Sequence, residues 1–233
     1  MNLLHHEAVS LASSIISWKK ENYHSSKIIL APSFIYLNEI CNMSVDTEIN
    51  IAAQNCHGQN GGPFTGEISA DMLSSIGVKT VIIGHSEVRK YETDESLYEK
   101  MVSCFNNNLD VIFCCGESLD DRNIFIHNKI IKQQIENTIL KLPVEYLSKL
   151  IIAYEPNWAI GTGINASPFQ IEEMITLIHN IISNHFNIKI PILYGGSCNI
   201  TNIKDIISLV DGCMIGTSSL NSDNFIDIIR LFD

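Results

Sequence analysis

Basic residues are scarce in this chain: 15 Lys and Arg stand against 26 Asp and Glu, a net charge of -11. A nucleic-acid surface needs clustered Lys and Arg to meet the phosphate backbone, so no nucleic-acid partner is expected. A small anionic substrate is still admissible, because local donors are enough to hold it. No apolar run reaches the length of a membrane span, so no membrane partner is expected either. The first twenty residues lack the basic start and clean hydrophobic centre of a signal peptide. Instead Leu4, Ala8, Leu11, Ile15 and Trp18 recur at helical spacing and predict an amphipathic helix. The seven cysteines (41, 56, 104, 114, 115, 198 and 213) contain no C-x-x-C pair. That spacing offers no zinc ligands, and several of them fall inside apolar runs, as small buried hydrophobes do in a reducing cytosol. Other signatures are missing in part. Gly161-Thr-Gly163 lacks the third glycine of a dinucleotide fingerprint, and there is no P-loop. His85-Ser-Glu87 has the His-x-Glu of a deaminase without the following Pro-Cys-x-x-Cys. No Gly-x-Ser-x-Gly nucleophile elbow occurs.

What is present is a packed α/β pattern. The chain has 233 residues, 45% of them hydrophobic, enough for one barrel or two small domains. Short, partly β-branched runs predict seven strands, ending near Ala31, Gln54, Gly84, Cys115, Ala153, Tyr194 and Ile215. Helical patterns separate them, among them Ser69 to Ile76 closed by Gly77, a helix capped at Thr93 or Asp94, and Ser167-Pro-Phe-Gln170 opening another. Longer helices are expected over 123–140 and 199–210, with a closing helix over 222–232. Such alternation predicts a parallel sheet flanked by helices, and no linker or low-complexity tract marks a second domain. Gln54, His85, Glu117, Glu155, Ser197 and Gly216 each follow a strand end. A doubly wound sheet would gather such residues at one switch point, whereas a (β/α)8 barrel spreads them around one rim. The barrel fits better, as a single domain over residues 1–233.

The stretch around which the rest is organised is Ala153-Tyr-Glu-Pro-Asn-Trp-Ala-Ile-Gly-Thr-Gly163. It follows the apolar run Leu150 to Ala153, and Pro156 stops the strand just after Glu155. Taken alone, a Glu-Pro pair is most simply a solvated loop carboxylate, and a lone histidine after a strand is more often structural than catalytic. The complete strings read otherwise. The eleven-residue stretch resembles the catalytic-loop signature of triosephosphate isomerases, departing only at Asn157. Ile82-Ile-Gly-His-Ser-Glu87 resembles a second string of the same family, with Val88 in place of its first arginine and Arg89 matching its second.

The resemblance implies a (β/α)8 barrel in which Glu155 takes a proton from the carbon beside a carbonyl that His85 polarises. It implies substrate-phosphate contacts from Gly161, Ser197, Gly216 and Thr217, with Thr217 standing where the family has glycine. Glu87 and Cys114 match supporting positions. Gln54, Asn55 and the loop Gly62-Pro-Phe-Thr-Gly-Glu67 resemble the family's dimer loop, with Thr65 reaching the neighbouring subunit. The implied enzyme is a cytoplasmic, glycolytic homodimer without metal or organic cofactor, interconverting dihydroxyacetone phosphate and glyceraldehyde 3-phosphate. Met1-Asn2 looks like the end of the family's Asn-Trp-Lys-Met-Asn string, so the first barrel strand, with its Asn and Lys, is expected upstream. A catalytically impaired relative that binds phosphorylated metabolites or partners is the alternative.

Overall fold

The structure, a computed structural model, describes residues 1–160 and 165–232. Seven strands form one all-parallel sheet: β1 (Ile28–Leu30), β2 (Ile49–Ala53), β3 (Thr80–Ile83), β4 (Asp110–Cys115), β5 (Leu150–Tyr154), β6 (Ile192–Tyr194) and β7 (Gly212–Cys213). Each strand pairs with its neighbour in sequence, in the order β1 to β7. A doubly wound sheet would jump in order at its switch point, so this order selects the barrel-type winding. The sheet curls, and among the described residues β1 and β7 do not pair with each other. Register aligns Ile82 with Ile112, Ile112 with Ile151, and Cys114 with Ala153.

Alternation along the strands divides the core in two. Ile82, Ile112, Cys114 and Ala153 pack together with Ile29, Ile151, Leu193 and Met214 on one face. Their chain neighbours, including Val81, Ile83, Val111, Phe113, Ile152 and Tyr154, join the much larger cluster that the helices complete. Side chains pointing alternately to the two faces are what a curled sheet filled inside and covered outside requires.

Nine α-helices cover the sheet among the described residues: α1 (His5–Glu21), α2 (Leu37–Met43), α3 (Ala70–Ser75), α4 (Ser86–Arg89), α5 (Asp94–Asn106), α6 (Leu119–Asn123), α7 (His127–Asn137), α8 (Pro168–Phe186) and α9 (Ser222–Arg230). The cap residues act as read. Thr93 accepts from Ser96 N, and Ser167 accepts from Gln170 N with Pro168 at the first helical position. No helix among the described residues is long and apolar enough to cross a membrane.

Two helical expectations are corrected. The segment 123–140 is broken, because Phe125 adopts φ +58 between α6 and α7, and a 3-10 turn follows at Ile139–Lys141. The segment 199–210 is a series of turns with one 3-10 turn at Ile203–Asp205. There the Asn199 side chain accepts from the backbone of Thr201 and Asn202, and Asn202 Oδ1 accepts from Asn199 N. These side chains cap the first turn as at a helix start, and beyond it the backbone bonds fall mostly three residues apart, so no α-helix follows.

Candidate active site

Glu155 follows β5 directly, and its N–H donates to Cys115 O at 2.8 Å, continuing the β4–β5 ladder past the strand. Its side chain is 1% exposed. Backbone enforces that position from both sides. A Cβ on Gly116 would lie 1.7 Å from Glu155 O, and one on Gly195 would lie 2.7 Å from Glu155 Cγ. Neither contact is physical, so glycine is required where the β4 and β6 loops close over the carboxylate.

One carboxylate oxygen, Oε2, accepts from Ser86 N at 3.0 Å. The other, Oε1, has no hydrogen bond among the described residues, and His85 Nε2 stands 3.4 Å away. Burial pushes the carboxyl above its ordinary value, opposed by His85, the Ser86 N–H, the Cys114 thiol and Arg89. A water-excluded carboxylate with one free oxygen has the character of a general base.

His85 caps α4 at the end of β3, with Nδ1 accepting from Glu87 N at 3.3 Å. This contact leaves Nε2, the other ring nitrogen, beside Glu155. Arg89 fixes the floor of this arrangement. Its guanidinium donates to Gly84 O and to Cys114 O, at 3.2 and 2.8 Å, and pairs with Asp94 at 3.3 Å. One side chain thus holds together the ends of β3 and β4. Cys114 is fully buried, its thiol pushed up by burial and then by Glu155. Glu87 lies exposed in the first turn of α4.

Sequence reasoning placed Glu117 on the rim without giving it a role. In the structure it is fully buried, and Oε1 accepts from Arg122 Nε, Tyr154 Oη and Trp158 Nε1 at 3.0, 3.0 and 3.1 Å. Trp158 belongs to the 3-10 turn Asn157–Ala159, so Glu117 anchors the start of the loop that follows Glu155. Asn157 N donates to Glu117 O and adds a backbone tie. From the other side, the Gln134 amide on α7 brackets Gly116, donating to its O and accepting from its N. The Gly116-Glu117 pair after β4 was the only signal in the sequence.

The expected phosphate ligands occupy one end of the sheet. Ser197, in the loop after β6, directs both its N–H and its hydroxyl to Ala159 O, at 3.1 and 2.6 Å. Gly216 and Thr217 are exposed after β7. Thr217 opens a 3-10 turn and is not among the positive-φ residues, so its backbone N–H keeps the geometry glycine would give it. Gly161 lies outside the described residues. A cavity of about 580 Å³ is bordered by Arg122, Phe125, His127, Phe169 and Glu173. Among the described residues no three His, Cys, Asp or Glu side chains converge as metal ligands.

On the neighbouring face, Gln54 donates to Ala31 O and Asn55 Oδ1 accepts from Lys100 Nζ at 3.0 Å. Lys100 also pairs with Glu92, and both side chains are largely buried. Thr65 is exposed at the tip of its loop, next to Phe64, which is 41% exposed.

A family model described as triosephosphate isomerase matches residues 1–232. A triosephosphate isomerase of Amoebophilus asiaticus is 42% identical over 240 residues, spanning 99% of this chain and 95% of the relative. One from Flavobacterium johnsoniae is 44% identical over 213 residues, spanning 88% and 85%. One from Porphyromonas gingivalis is 40% identical over 240 residues, spanning 100% and 96%. With a buried carboxylate beside an imidazole at the strand ends and relatives matched nearly end to end, the chain belongs to the triosephosphate isomerase family.

Proposed function

We propose that the protein interconverts dihydroxyacetone phosphate and D-glyceraldehyde 3-phosphate through an enediolate, without a metal or organic cofactor. The observation that carries this reading is the unbonded, buried Oε1 of Glu155 standing 3.4 Å from His85 Nε2. Glu155 removes the proton from the carbon next to the carbonyl and returns it to the adjacent carbon. His85 donates its Nε2–H to the substrate oxygens, stabilising charge as it develops. This pairing is the one established for the family. Ser197, Gly216 and Thr217, with Gly161, hold the phosphate through backbone N–H groups and a hydroxyl, which needs no dense positive patch. The Glu87 backbone N–H supports His85, and the Cys114 thiol supports Glu155. The test is turnover of either triose phosphate by the purified chain, coupled to a dehydrogenase. Binding of substrate without turnover would favour a non-catalytic relative.

The pH dependence follows from the raised Glu155 carboxyl. The base must be ionised, so activity is present above its pKa and lost as pH falls through it. The acid limb of kcat/KM is expected above the ordinary glutamate value of about 4.3. The stability effect of this group has the opposite direction, because burial favours its protonated form, a preference lost as pH rises through the folded-state pKa. An acid limb at or below about 4.3 would contradict the base assignment.

Gly195→Ala tests how tightly the carboxylate is held. Its added Cβ would press on Glu155 Cγ and Met214 Cε. Overpacking of this kind costs about 1–3 kcal/mol, and displacing the base lowers kcat by up to about 10²-fold. Wild-type kcat in this variant would show that the carboxylate tolerates displacement.

We also read residues 1–233 as one domain in the cytoplasm. They assemble as a homodimer through Gln54, Asn55 and the loop carrying Thr65. The exposure of that loop tip and of Phe64 supports the dimer.

A further inference from the structure

The described residues contain two pairs of cysteines whose sulfurs lie 3.5 Å apart, Cys56 with Cys104 and Cys198 with Cys213. Neither pair belongs to the reacting groups. Cys56 and Cys104 are both buried, at 3% and 0% exposure, whereas Cys213 is only partly buried. Solvent therefore reaches the second pair and not the first. The second pair also sits where movement has consequences. Cys198 directly follows Ser197, and Cys213 is the last residue of β7, three before Gly216.

We propose that Cys198 and Cys213 form a reversible modification site, a dithiol that peroxide oxidises to an intramolecular disulfide, drawing the Ser197 loop toward β7 and weakening anion binding at the rim. The cross-link stands on the sulfur positions alone. The effect on anions rests on the phosphate role proposed for Ser197 and Gly216.

The geometry decides which side moves. A disulfide holds its sulfurs about 2.05 Å apart, so these two must approach by roughly 1.5 Å. Cys213 is held in register with Tyr194 in the sheet, and Met214 N donates to Tyr194 O just beyond it. Cys198 lies in a loop tied mainly to itself, with Asn202 Nδ2 donating to Ser197 O and the Asn199–Asn202 bonds closing the turn. The loop gives way more easily than the ladder. Moving it strains the two bonds from Ser197 to Ala159 O, which join this loop to the one after Glu155.

The chemistry balances with one peroxide. The Cys213 thiolate attacks a peroxide oxygen, breaking the O–O bond to give a sulfenic acid and, after protonation, water. The Cys198 sulfur then attacks the sulfenic sulfur, forming the S–S bond and releasing a second water. Two thiols lose two protons and two electrons, and the peroxide is reduced. A small dithiol reverses the bond by exchange. The bond with Cys198 and then burial push the Cys213 thiol up, so thiolate is scarce and the oxidation is slow.

The experiment treats the folded, full chain with excess hydrogen peroxide, removes it, and alkylates under denaturing conditions for peptide mass mapping. The expected product is a Cys198–Cys213 cross-linked peptide lighter by two hydrogens, with Cys56 and Cys104 still alkylated. Binding of inorganic phosphate, measured on the same samples, should weaken about tenfold on oxidation, the size of one lost bond to a charged group, and recover with dithiothreitol. Cys213→Ser, with Cys198→Ala as a second variant, should keep the reduced protein's phosphate affinity and lose its response to peroxide. If both thiols remain alkylated after peroxide, the dithiol is overturned. A cross-link that leaves phosphate affinity unchanged overturns its coupling to the rim. Reduced protein that binds no phosphate overturns the anion half through the phosphate assignment itself, while the cross-link is still read by mass.

Discussion

Glu155→Gln is expected to lower kcat for triose phosphate isomerisation by about 10²–10⁴-fold, the usual contribution of a positioned general base. KM should change little, because the amide keeps the shape of the carboxylate and the proposed phosphate contacts lie elsewhere. The fold should survive and become no weaker. Burial disfavours the ionised form of this group, and a neutral amide removes that cost. Urea unfolding should therefore show a midpoint equal to or above that of the parent. The two measurements together identify a group kept for chemistry at the expense of stability. Equal turnover by the parent and the variant would remove Glu155 from the mechanism.

Glu117→Ala should produce the largest loss of stability. The substitution takes away the acceptor shared by Arg122 Nε, Tyr154 Oη and Trp158 Nε1 inside a fully buried site. Removing one partner of a buried ion pair costs about 3–5 kcal/mol, because the other charge is left uncompensated. Arg122 retains Glu173, 3.2 Å from Nη1, so the lower end of that range is expected. Activity should fall as well, since Trp158 loses the contact that fixes the loop after Glu155. Glu117→Gln keeps an acceptor without the charge and should recover part of both losses. A midpoint for Glu117→Ala within about 0.5 kcal/mol of the parent, as for an ordinary surface change, would show that the anchor contributes nothing.

How far the sequence discloses this protein depends on the range of the interaction concerned. The strands are visible because each is a short apolar run cut off by a glycine, proline or polar residue, and all seven stand where the runs end. Caps such as Thr93 and Ser167 are equally local. The segments 123–140 and 199–210 misled because helical spacing of apolar residues persists through them. A positive φ at Phe125, and backbone bonds beyond Asn202 that fall mostly three residues apart, break what that spacing predicts. Glu155 and His85 stand out through strings that match a family. Their contact, and the convergence of Gly116 and Gly195 on the carboxylate, depends on strands far apart in sequence meeting at one end of a sheet. Glu117 was hidden for the same reason. Its three donors come from the α6, β5 and Trp158 segments, and no spacing rule links them.

The agreement between strand order in space and strand order in sequence bears on how the chain reaches its fold. Every ladder joins a strand to the next one synthesised, with only the intervening helices or turns to close each time. The entropy of closing a loop grows only slowly with its length, and no pairing among β1 to β7 waits for a distant part of the chain. A strand can dock on its predecessor as soon as the intervening segment is made. Along β1 to β7 native pairing then proceeds as a sequence of local additions, which keeps the sequence separation of these contacts small for an all-parallel sheet.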